Sequence, residues 1–99
     1  MIAFEIFVNG DQRLTIGGEE YSSLNALLGL IRLPLAKPDD TTITLATAGI
    51  TADQVQVGMW PTLLLEVGDR VELRVVDVET VDAPESVQTL EKGDENVHA

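Results

Sequence analysis

The chain has no cysteine, a single histidine (His98), one tryptophan, one tyrosine and two phenylalanines. Without thiols it can form neither disulfides nor thiolate zinc sites, so its stability must come from packing. Basic residues are scarce too: 6 Lys and Arg face 17 Asp and Glu, a formal charge of −11. Such a balance repels phosphate backbones and anionic lipid surfaces, which argues against nucleic acid and against membranes as partners. No apolar run approaches the roughly 20 residues that a membrane-spanning helix requires. The opening Met1 to Val8 run contains Glu5 and no leading base, so it reads as a strand rather than a signal peptide, and a cytoplasmic location is expected.

What is present is an ordinary globular composition, 44% hydrophobic over 99 residues, enough for one domain with a modest core. Ile2, Phe4, Ile6 and Val8 alternate with Ala3, Glu5 and Phe7 at the period of a half-buried strand. Asn9-Gly10-Asp11 is a turn signal, and Leu14 and Ile16 continue the pattern beyond it. Opposed residues of an antiparallel pair share a face, so matching Ile6 with Leu14 and Phe4 with Ile16 calls for a loop of three or five residues. Leu24, Leu27, Leu28 and Ile31 fall at i, i+3, i+4 and i+7, which predicts a helix from Ser22 to Arg32, capped by Ser22 or Ser23 and ended by Pro34. Leu30 and Leu33 lie off that stripe.

Beyond Pro38-Asp39-Asp40, strands are expected over Thr41 to Thr47, over Val55 to Met59, and from Val71 to about Val78. Leu63-Leu64-Leu65 is too short to classify by period. After Val78 the chain turns acidic and poor in apolar side chains, so residues 79–99 are expected as a tail outside a domain of residues 1–78. Asp82-Ala83-Pro84-Glu85 resembles a helix start and allows a short helix over 83–92.

Strand, tight hairpin, strand, helix and further strands is the order of the ubiquitin-like β-grasp class. Leu65-Glu66-Val67-Gly68-Asp69-Arg70-Val71-Glu72-Leu73 resembles the leucine, Gly-Asp turn and last strand of the small sulfur-carrier proteins of that class. The resemblance implies an α+β fold, a β-grasp-like mixed sheet with a hairpin, one helix, two to three further strands and an acidic C-terminal tail. A small mixed β-barrel with one helix is the alternative. The carriers' activity does not carry over, because they end in Gly-Gly whereas the last glycine here is Gly93, followed by Asp94.

No constellation of catalytic residues stands out. His98 sits one residue from the last, Asp39-Asp40 reads as a solvated turn, and Gly17-Gly18-Glu19-Glu20 would repel a phosphate. The expected function is therefore a non-enzymatic protein-interaction module with no cofactor and no metal. Its docking residues would be Trp60 and Met59, beside Pro61, together with the Leu30, Leu33 and Leu35 group, engaging a protein partner or a second copy. The alternative is an acidic inhibitor or immunity-type protein that occupies a basic groove through residues 77–95.

Overall fold

A computed structural model of the protein describes residues 1–32, 41–53 and 55–89. Among these residues eight strands run in the order β1 (Ile2–Val8), β2 (Asp11–Gly17), β3 (Tyr21–Arg32), β4 (Thr41–Thr51), β5 (Gln56–Met59), β6 (Leu63–Leu65), β7 (Val71–Asp77) and β8 (Ser86–Thr89). They form a three-stranded sheet, β2-β1-β7, and a five-stranded sheet, β3-β4-β5-β8, in which β6 also pairs with β4. Every pairing is antiparallel. There is no helix among the described residues, hence none long and apolar enough to cross a membrane.

This all-β architecture overturns the expected α+β class, both in its β-grasp-like form and as a barrel with one helix. The error lies at Ser22 to Arg32, where the expected helix is instead the longest strand, paired with β4 from Leu24↔Gly49 to Arg32↔Thr41. Leu24, Leu27, Leu28 and Ile31 fit a helical stripe, but the same aliphatics also sit comfortably on a pleated surface. The residues between them decide the matter: Ser, Asn and Gly are poor helix interiors, and an isolated helix this short is marginal without strong formers. Thr41 to Thr51, rich in threonine and isoleucine, supplies a strand partner along its full length. The short helix allowed over 83–92 is likewise replaced, over its described part, by β8, which pairs Ser86–Thr89 with β5; residues 90–92 lie outside the described residues.

The first hairpin keeps the expected pairing by a different device. Ile6 faces Leu14 and Phe4 faces Ile16, yet the loop is only Asn9-Gly10, both at positive φ (54° and 86°), the requirement of a tight type I′ turn. A bulge between Ile6 and Phe7 places Arg13 as the extra residue and restores the register. Ile6, Val8, Leu14 and Ile16 of the first sheet then meet Leu45, Trp60 and Leu63 of the second to form the core. The Gly68 turn, at φ +97°, leads into β7. It is fastened by Asp69, whose carboxylate accepts bonds from Asn9 Nδ2 (2.9 Å) and Glu66 N (2.7 Å) and is held below the usual carboxylate range by them.

Residues 79–89, expected as part of a tail, belong to the body. Asp82 N donates to Thr15 O and Thr15 N donates to the Asp82 carboxylate, both at 2.9 Å, so Asp82 occupies the outer edge of β2 as a strand would. Its own carbonyl accepts a bond from Trp60 Nε1 at 2.8 Å. One residue therefore ties the edge of the first sheet to the tryptophan of the core.

Candidate docking surface

Alternation along β3 assigns each side chain to a face. Leu24 and Ala26 pack against the core, which puts Leu28 and Leu30 on the same inward face and Asn25, Leu27, Gly29 and Ile31 on the outward one. The core ends before the strand does. Leu27, Leu28, Leu30 and Ile31 are between 55% and 68% exposed, two on each face, so the far half of β3 extends past the body with aliphatic side chains bare on both sides. The 12 residues of β3 and the 11 of β4 carry one charge between them, Arg32, in a chain with a formal charge of −11.

Among the described residues β3 pairs with β4 alone, so its other edge is open there. An open edge presents unpaired N–H and C=O groups, and proteins normally blunt such edges with charge, proline or short length. The other edges here follow that rule. β2 carries Asp11 and Arg13 and is covered at Thr15 by Asp82; β7 carries Glu72, Arg74 and Asp77; β6 and β8 have 3 and 4 residues. β3 has a bulge near its start, between Tyr21 and Ser23, and then runs regular and uncharged from Ser23 to Ile31.

Beside this arm the outward face holds a shallow apolar groove of about 270 Å3, lined by Leu27, Ala46, Ala48, Met59, Trp60 and Thr62 among others. Its origin is topological. β5 pairs with β4 at Ala48–Ile50 and β6 at Ile43–Leu45; Trp60 N still donates to Thr47 O at 3.2 Å, and the connection changes register beside Ala46, over Pro61 and Thr62. Thr47, 4% exposed, has a hydroxyl with no hydrogen-bond partner among the described residues. Thr47→Val keeps the shape and removes an unpaired buried polar group, so it should raise stability by about 1 kcal/mol. A urea midpoint that falls instead would show that the hydroxyl is engaged.

The residues expected from sequence to dock a partner are dispersed by the structure. Trp60 is 2% exposed, a core residue in edge-to-face contact with Tyr21 at 5.6 Å between ring centroids; it reaches the groove only as part of its wall. Met59, 37% exposed, and Leu30 are at the surface, on opposite faces of the second sheet, while Leu33 and Leu35 lie outside the described residues. Leu27, Leu28 and Ile31 were missed because a helix would have buried them. The signal that could have found them is the absence of any charge from Tyr21 to Ile31, since a surface helix normally has a charged outer face. Ser22 and Ser23, read as helix caps, stand on the strand, and Ser22 Oγ donates to Ile50 O at 3.4 Å. Among the described residues no group of three or more His, Cys, Asp or Glu side chains converges. No protein-family model matches the chain, and no curated protein and no solved structure matches it either.

Proposed function

We propose that the protein is a non-enzymatic interaction module that docks another protein through the far half of β3. One observation carries this reading: a long edge strand, uncharged from Tyr21 to Ile31, with four aliphatic side chains exposed on its two faces, while the other described edges are short, charged or covered. Such an edge supplies main-chain hydrogen bonds for strand addition, and the bare side chains on either face supply apolar contact. The groove walled by Leu27 and Met59 extends that contact on the outward face.

A photo-crosslinking side chain placed at Leu28 or Ile31 in the producing cell tests the reading. A discrete adduct of defined mass is expected from both positions and none from Val67, which is 94% exposed but lies in the turn after β6, on the other side of β4 from the β3 edge. Absence of any adduct from the arm, or equal labelling from Val67, would refute it. An adduct to a basic protein from Glu72 or Asp77, with none from the arm, would point instead to an acidic inhibitor.

A further inference from the structure

We infer that the partner of the β3 edge is a second copy of this chain, the two β3 strands pairing antiparallel about a two-fold axis through Gly29. This rests on the docking reading above and names its partner. The sequence around Gly29 is self-complementary in size and face. Antiparallel pairing about Gly29 sets Leu27 opposite Ile31 of the second copy on the outward face, and Leu28 opposite Leu30 on the inward face. Gly29 meets Gly29, where no side chain stands between the two backbones. All four aliphatics exposed on the arm find an aliphatic partner in this register, and none faces a charge.

Electrostatics select the same occupant. A chain with a formal charge of −11 repels its own copies over most of its surface, and it can approach one closely only where acids are missing. The two paired strands of the hairpin contain no acid. A basic partner, by contrast, would gain nothing from this strip and would settle on the acidic remainder. The two cases differ in the sign of their salt dependence. Screening weakens attraction to a cation but relieves repulsion between two anions, so self-pairing tightens as salt is added. Aliphatic contact from four side chains and a short ladder is modest against the roughly 800 Å2 per partner of standard interfaces, so association is expected in the micromolar range.

Gly29 offers a test that spares the fold, because among the described residues a Cβ built there meets only Thr44 Oγ1, at 3.7 Å. Sedimentation equilibrium of the full chain across micromolar concentrations should show a dimer that strengthens with ionic strength. Gly29→Glu and Gly29→Lys each place two like charges at the axis and should weaken association by roughly a hundredfold, with unfolding midpoints near wild type. Mixing the two variants should restore a dimer containing one of each, since the opposed charges then attract. A wild type that stays monomeric, a dimer indifferent to both substitutions, or a mixture that stays monomeric would each overturn the inference. If the wild type is monomeric while the arm still crosslinks to a different protein, the docking reading stands and only the second copy falls.

Discussion

Tyr21→Ala should lower stability by about 3 kcal/mol, and Gly49→Ala by about 2 kcal/mol, yet the double variant should be little less stable than Tyr21→Ala alone. Gly49 and Gly58 face each other across β4 and β5, and Tyr21 lies over the pair. A Cβ at Gly49 would stand 2.8 Å from Tyr21 Cγ and 3.1 Å from Leu24 Cδ2, and one at Gly58 would strike the Tyr21 hydroxyl. The two glycines thus form a slot filled by the ring, with Leu24 beside it at Gly49, and the ring's edge-to-face contact with Trp60 passes the fit to the core. With the ring removed, a methyl at Gly49 keeps only the end of the flexible Leu24 side chain as a close neighbour, which is why most of the second loss should vanish. Additive losses in a urea double-mutant cycle would show that Gly49 is constrained by something other than the ring.

The same contact has a signature in alkali. Burial, and then the negative charge of Glu20, raise the Tyr21 phenol above its ordinary 10.0. A raised value in the folded state means that the neutral ring is preferred there. Its contribution is therefore complete below pH 10.0 and disappears as pH climbs through the folded value. Tyr21 is the sole tyrosine, so phenolate absorbance reports it directly; ionisation should come late in the wild type and return toward 10.0 in Gly49→Ala.

Ending the chain after Val78 should remove more than 3 kcal/mol or abolish cooperative folding, whereas a chain ending at Thr89 retains every contact described here. The shorter chain loses both backbone links of Asp82 to Thr15, the acceptor for Trp60 Nε1, the Val81 side chain that approaches Gly17, and β8. Trp60, the sole tryptophan, reports the loss as a red shift of its emission. Asp82→Ala isolates the carboxylate's part, since it unpairs only Thr15 N and should cost about 1 kcal/mol. An unaltered urea midpoint for the chain ending at Val78 would show that residues 79–89 are an appendage after all. Any binding test that deletes residues 79–99 must also reckon with this, because such a deletion dismantles part of the body.

The sequence revealed most where one period dominated. Alternation located β1, β2, β4 and β7, and the shared-face rule recovered the Ile6–Leu14 and Phe4–Ile16 pairing before the bulge at Arg13 was visible. It misled at β3 because Leu24, Leu27, Leu28 and Ile31 satisfy a helical period, while as a strand they are shared between two faces, and no local rule reveals that the core stops short of both. The role of Asp82 was illegible for a different reason. Its partners, Thr15 and Trp60, are 67 and 22 residues away, and neither bond has a sequence signature. Met59 and Leu30 could be picked out as surface apolars, but their separation onto opposite faces follows from the sheet, not from their spacing.

The central strand of the first sheet has a consequence for how the protein is made. β1 takes β2 as one neighbour, within a dozen residues, but its other neighbour is β7, with Ile2 opposite Asp77 and Val8 opposite Val71. At roughly 5–20 residues per second, the ribosome needs several seconds between delivering the first strand and the one that completes its sheet. During that interval one edge of β1 has no strand beside it, while β3 and β4, close in sequence, are free to zip together. Production should therefore be more sensitive to slow translation or chaperone supply than the size of the domain would imply.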